Sequence, residues 1–282
     1  MKRKFLLMTF IMSFISTISI AFPADTLYCT NRDKEIFNDY CKYIETWRDL
    51  PRDTIILKTA MFFLETPYVG HTLEIEPEGL VVNLRELDCT TFVENVLVLT
   101  STVISGDISF ENYCHNLKHY RYRDDTITDY TDRLHYTSDW IYENQRKGLI
   151  SNVTRKCGGK KLKLNLNIMS TSSESYRPLS QNAALKDKIV LKEQEINKRK
   201  HYYIPTKRID RKFRKIHTGD MVGFVTTIPG IDISHVGIIY KDGKRLTFIH
   251  ASSKKEKVVI HEGTLSEYVK NSGRNTGVVL AR

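Results

Sequence analysis

Asp88-Cys89-Thr90-Thr91-Phe92-Val93-Glu94-Asn95-Val96-Leu97-Val98-Leu99-Thr100 is the stretch on which the fold turns. Phe92, Val93, Val96, Leu97 and Leu99 make it strongly apolar, and Gly106 follows. The pattern predicts a long buried helix that begins near Cys89 and ends before Gly106. Thr91 and Glu94 have capping-box spacing, which supports a start within a residue or two of Cys89. A cysteine at a helix start meets unpaired backbone N–H groups and the positive end of the helix dipole, which predicts a lowered thiol pKa and a nucleophilic thiolate. The competing reading is a small buried hydrophobe. The neighbours Asp88, Thr90 and Thr91 argue against a purely apolar site.

A thiol nucleophile needs a base, and the base needs orienting. His235 lies in Ile231-Asp232-Ile233-Ser234-His235-Val236-Gly237-Ile238, and His250 lies in Leu246-Thr247-Phe248-Ile249-His250-Ala251-Ser252-Ser253. Both segments read as strands, and adjacent strands can set the two imidazoles side by side. His235 then takes the thiol proton and His250 holds its second ring nitrogen. Singly, each reads better as a hydrogen-bonded core histidine; the joint occurrence with Cys89 shifts the balance. The expected chemistry is acyl transfer, with the Cys89 backbone N–H in the oxyanion hole.

Outward from these segments, residues 31–64 carry apolar positions at helical spacing, broken by Pro51, and read as two helices. From Thr66 to Leu87, Pro67, Gly70, Pro77 and Gly79 signal turns. Residues 107–150 look helical, Lys160–Met169 alternates like a strand, and 181–200 reads as a charged amphipathic helix. Met221–Thr226, Ser234–Tyr240, Leu246–Ala251, Lys257–Ile260 and Gly277–Leu280 are short strands, with Asp242-Gly243 as a hairpin signal. Helices first and a mainly antiparallel sheet after them make an α+β fold.

At the N-terminus, Lys2-Arg3-Lys4 precede an apolar run from Phe5 to Ile20, and Ser19-Ile20-Ala21 suits a signal peptidase. Residues 1–21 are therefore expected to be a signal peptide and 22–282 one exported, periplasmic catalytic domain. A retained anchor is the weaker alternative, because the run is short for a membrane span. Five cysteines follow, Cys29, Cys41, Cys89, Cys114 and Cys157, so one thiol at least stays free. Nearness in sequence suggests Cys29 with Cys41; Cys114 with Cys157 is the other pairing to consider. The formal charge of +10 suits any polyanion, and no nucleic-acid motif accompanies it. His115 and His119 have metal-ligand spacing but no third ligand, so neither metal nor other cofactor is expected.

Asp88-Cys89-Thr90-Thr91-Phe92 on a helix, then Ser234-His235-Val236-Gly237 and a further histidine on strands, resembles the NlpC-type branch of papain-like cysteine peptidases. More closely, the chain resembles the bacterial N-acetylmuramoyl-L-alanine amidase-like family. Asn83 to Asn95 carries that likeness, with Arg133-Leu134-His135-Tyr136, Ser138-Asp139-Trp140, Met169-Ser170-Thr171, Tyr202 to Pro205, Gly219-Asp220 and Ile231 to Gly237. It runs from about Ile55 to the C-terminus. The resemblance implies a papain-like core and hydrolysis of an amide in peptidoglycan or its muropeptide fragments. It implies Cys89 as nucleophile, His235 as base and His250 as orienting residue. Compact NlpC-type domains hold cysteine and histidine closer in sequence, so residues 107–217 are expected to be a helical elaboration that shapes the substrate groove.

Tyr68 and His71 precede the nucleophile as cleft-lining segments do in the superfamily, although a turn role suits them equally. Arg133, His135, Asp139 and Trp140 form a polar-aromatic cluster suited to a sugar or an acidic peptide, with Trp140 more at home in a core. Asp88 and Ser234 flank the nucleophile and the base and join the substrate-contact candidates. Two bonds compete as the target: the N-acetylmuramoyl-L-alanine amide, and the D-glutamyl-diamino acid bond of the stem peptide. A wall-fragment binding module without catalysis is the rival from another class.

Overall fold

The computed structural model describes residues 26–282; the expected signal peptide lies outside them. In chain order the first half contains β1 (Leu27–Tyr28), α1 (Asn31–Ile44), α2 (Arg52–Phe62), β2 (Leu80–Val81), α3 (Cys89–Ile104), α4 (Phe110–Arg121) and α5 (Thr137–Arg146). There follow β3 (Lys160–Leu162), α6 (Ile168–Thr171), α7 (Arg177–Gln181), α8 (Ala183–Lys198) and β4 (His201–Pro205). The last part comprises β5 (Met221–Thr226), β6 (Ile233–Asp242), β7 (Arg245–Ser252), β8 (Lys257–Ile260), α9 (Leu265–Asn271) and β9 (Asn275–Ala281).

A seven-stranded sheet in the order β3-β4-β9-β5-β6-β7-β8 organises the molecule, and every neighbouring pair is antiparallel. Its central strands are buried on both faces, as their near-continuous apolar sequence requires. Val236 and Ile238 of β6 and Ile249 and Ala251 of β7 face the large core built with α1 to α5. Alternation sends Phe224, Ile239 and Phe248 to the opposite face, where they pack with Leu265 and Val269 of α9. His235 and His250 share the parity of that second face.

α3 starts at Cys89 because Asp88 caps it. The Asp88 carboxylate accepts from the Thr91 N–H at 2.7 Å, and the Thr91 hydroxyl accepts from the Asp88 N–H at 2.9 Å. The capping box is thus Asp88 with Thr91, one turn earlier than Thr91 with Glu94. Glu94 instead is buried against the Arg121 guanidinium of α4 at 2.6 Å.

Residues 107–217 depart from a purely helical elaboration. β3 and β4 lie within this segment and extend the main sheet through β9. Of the expected strand over 160–169 only Lys160–Leu162 joins the sheet, and Leu166 makes a lone bridge to Gly230. Leu164 and Leu166 turn instead into a small third core with Tyr130, Tyr136, Met169 and α8 residues, so their alternation reports burial of an irregular chain.

Both disulfide expectations fail. All five cysteines are free thiols. Cys29 precedes α1, whereas Cys41 sits far along it, roughly 15 Å of axial rise from its start. A bridge tolerates only about 7 Å between Cα atoms. Cys114 and Cys157 pack in cores on opposite faces of the sheet.

Candidate active site

The Cys89 thiol and the imidazoles of His235 and His250 meet where the sheet opens. The β6–β7 ladder runs from Asp242↔Arg245 to Ile238↔Ile249 and stops there. Beyond that point β7 continues with β8 as its partner, while residues 233–237 of β6 keep only β5. The Val236 N–H, released from the ladder, favours the thiolate form of Cys89 at the start of α3. Thr91 and Phe92 donate to Asp88, which leaves the Cys89 and Thr90 amides without an oxygen acceptor among the described residues. They are free to receive a developing oxyanion.

His235 Nε2 lies 2.7 Å from His250 Nδ1, with the rings edge to face. Phe224 stacks on His235 with centroids 5.8 Å apart, Phe248 lies 4.7 Å from His250, and Tyr268 of α9 stands about 6 Å from both. These aromatic walls remove water from the imidazoles. Burial pushes His235 down to about 4. Burial, with His235 and His261 nearby, pushes His250 down to about 2. Burial, reinforced by the Asp88 charge, pushes the Cys89 thiol up to about 11 and outweighs the Val236 amide. The lowered thiol pKa expected from the helix start is thereby overturned: loss of water dominates. At neutral pH the resting site holds a thiol and two neutral imidazoles.

Two hollows meet at Ser234 and His235. Cys89, Thr90 and Val236 open onto the smaller, about 280 Å³, whose walls include Tyr130, His135, Tyr136 and Tyr176. The larger, about 1280 Å³, is lined by His250, His261, Tyr268 and a set of basic residues. Ser234 borders both and donates its hydroxyl to Asn275 Oδ1 at 2.8 Å. His135 is in the smaller hollow; its Nε2 donates to the Tyr130 carbonyl at 2.8 Å, which leaves Nδ1 as an acceptor. Burial pushes His135 down to about 3, so it too is neutral. Burial, reinforced by Cys89 and Asp88, raises the Tyr68 phenol pKa.

The other expected contacts are engaged elsewhere. Asp88 is the α3 cap. His71 is exposed in a left-handed turn with φ 62° and lines neither hollow. Arg133 is buried over the Tyr130 ring, centroid 4.8 Å, between Glu74 at 3.1 Å and Glu78 at 3.4 Å. Asp139 bonds Arg123 and, at 2.6 Å, Arg199, in a buried cluster with Glu143. Arg133 and Asp139 tie the elaboration together and border neither hollow. Trp140 is core. His119 bonds Asp125 at 2.7 Å.

Two residues of the site escaped the sequence reading. Asp232 lines the smaller hollow, and its buried carboxylate accepts from the Ser138 N–H at 2.6 Å and the Ile233 N–H at 2.8 Å, pinning the first turn of α5 to β6. Nothing in its sequence neighbourhood betrays a partner so distant. Tyr268 belongs to α9, a seven-residue helix. Its signal was available: Thr264 and Glu267 have capping-box spacing and form that box.

The chain belongs to the N-acetylmuramoyl-L-alanine amidase-like family, whose model matches residues 58–277. It is similar to a solved N-acetylmuramoyl-L-alanine amidase from Bacteroides uniformis, with 35% identity and TM-score 0.79 over 82% of this chain and 98% of the other. A proposed xylanase from Bacteroides fragilis is 36% identical with TM-score 0.76, covering 80% of this chain and 99% of its own. A Legionella pneumophila protein at 21% identity and TM-score 0.64, covering 89% and 93%, shares the fold. Among curated proteins none matches.

Proposed function

We propose that this protein is an exported cysteine amidohydrolase of the NlpC-type, papain-like kind that cleaves the N-acetylmuramoyl-L-alanine amide of peptidoglycan or its fragments. The observation that carries the reading is the Cys89 thiol at the capped start of α3, sharing a hollow with His235 while His250 bonds the far side of that imidazole. Family membership supplies the bond class.

The chemistry follows from the hydrogen-bond pattern. With His235 Nε2 donating to His250 Nδ1, Nδ1 of His235 is the free base. His250 stays neutral because burial holds its pKa near 2, so it remains an acceptor when His235 becomes charged. In the first step His235 takes the thiol proton as sulfur attacks the lactyl carbonyl. The oxyanion meets the Cys89 amide. The C–N bond then breaks, His235 gives its proton to the departing alanine nitrogen, and a thioester remains. Water attacks the thioester with His235 again as base, which releases the lactyl carboxylate and restores the thiol.

A glycosidase reading, prompted by the xylanase name, is supported less. Glycoside hydrolysis takes two carboxyls about 5–10 Å apart across the sugar. In the smaller hollow the two are Glu74 and Asp232, and both Asp232 oxygens are occupied by backbone amides. Digestion of purified muropeptides, read by mass spectrometry, tests the proposal. A free lactyl carboxylate with an intact stem peptide supports it. A released peptide that begins with the diamino acid, with L-alanyl-D-glutamate left on the muramic acid, instead shifts the bond to the endopeptidase alternative, and no product from fragments of any length leaves the binding module.

A further inference from the structure

The two hollows have different chemistry, and the mechanism orders them along the substrate. The acyl group stays on Cys89, which opens onto the smaller, tyrosine-walled hollow. The leaving amine must pass within reach of the imidazole that protonates it. His235 is the hinge between the hollows, and beyond it lies the larger cleft. That cleft carries four cationic side chains, Lys254, Lys255, Lys257 and Arg274, against two carboxylates. Lys257 is neutralised by Glu65 at 2.6 Å and Lys255 by Glu262 at 3.3 Å. Lys254 and Arg274 have no ion pair or hydrogen bond to their side chains among the described residues, so the positive surplus of the cleft is theirs. Arg274 is the better placed. It precedes Asn275, which holds Ser234 beside the base, and its charge acts on Tyr268 next to His235.

We propose that the larger cleft is the leaving-group arm, and that Arg274, assisted by Lys254, is the receptor for a carboxylate of the departing stem peptide. The inference rests on the amidase reading for the direction of the substrate. The ligand class itself, an anionic peptide, follows from the uncompensated cations. Arg presents a planar fork that matches a carboxylate with two N–H donors, which makes it the discriminating partner. Arg274 is exposed and its fold contacts are made by its backbone carbonyl, so truncating it leaves the architecture intact.

Calorimetric titration of the protein with L-alanyl-D-glutamate and with the same dipeptide carrying carboxamides in place of both carboxylates tests this directly. The wild type should bind the acid about tenfold more tightly than the amide, the effect of one charge-assisted pair. Arg274→Ala should bind both alike, and Lys254→Ala should weaken the acid by less. Equal binding of acid and amide by the wild type, or an undiminished preference in Arg274→Ala, overturns the assignment. The preference is read without turnover, so it separates the two ideas. Discrimination in a protein that cleaves no muropeptide keeps the arm and sinks the amidase. Cleavage without discrimination does the reverse.

Discussion

The state of the resting thiol can be read from its reactivity. Burial and the Asp88 charge hold Cys89 near 11. Its thiolate fraction at pH 7.5 is then roughly one in three thousand, and at pH 9.5 roughly one in thirty. Alkylation by iodoacetamide proceeds through the thiolate, so the rate at Cys89 should climb about a hundredfold between those two values. An ordinary exposed cysteine, titrating near about 8.5, gains only about tenfold over the same interval. The assay is timed alkylation across pH, quenched and resolved peptide by peptide, because four other thiols compete. Asp88→Asn sharpens it. The amide oxygen still accepts from the Thr91 N–H and keeps the helix start, while the negative charge beside the sulfur is gone. The profile should shift to lower pH. A rate that is flat from pH 6 to 9 would refute the reasoning, because it would mean that the helix start and a charged His235 overcome desolvation and hold an ion pair at rest.

The proposed base gives a matching acid limb: His235 must be neutral to accept a proton, its folded pKa is lowered to about 4, and kcat/KM should therefore hold above that value and fall tenfold per unit below it. A limb near pH 6.5 in the rate profile would contradict the buried imidazole. His250→Ala should cut kcat by about 10²–10⁴ with KM little changed, whereas His250→Asn, which keeps an acceptor for His235 Nε2, should recover part of the loss; equal losses would deny His250 its orienting role. Asp139→Ala should destabilise the fold by about 3–5 kcal/mol in urea titrations, since Arg123 and Arg199 lose a buried partner. An Asp139→Ala protein of normal stability with a raised KM would restore the substrate-contact reading.

The elements most legible in the sequence were those whose pattern is set locally. α3 follows from its apolar run and the Asp-Cys-Thr-Thr start. β5 and β8 fall on the expected residues, and the β6–β7 hairpin turns at Gly243 with φ 60° as Asp242-Gly243 predicts. The imidazole pair was foreseeable because two adjacent strands each carry a histidine. β4 went unread because His201-Tyr202-Tyr203-Ile204-Pro205 is short and follows a charged helix; only its pairing with β9 makes it a strand. Arg133 and Asp139 misled for a related reason. A charge beside aromatics looks like a ligand site until Glu74, Glu78, Arg123 and Arg199 arrive from distant segments to neutralise it. The thiol pKa was misjudged because a helix start is visible in sequence and the walls that exclude water are not.

Intact mass spectrometry after rapid acid quench of a muropeptide digest reads the proposed covalent step itself. A transient adduct with the mass of the muramoyl acyl group should appear, mapped to the peptide containing Cys89 and absent, together with all product, in Cys89→Ala. Release of L-alanyl peptide by a folded Cys89→Ala protein would contradict it.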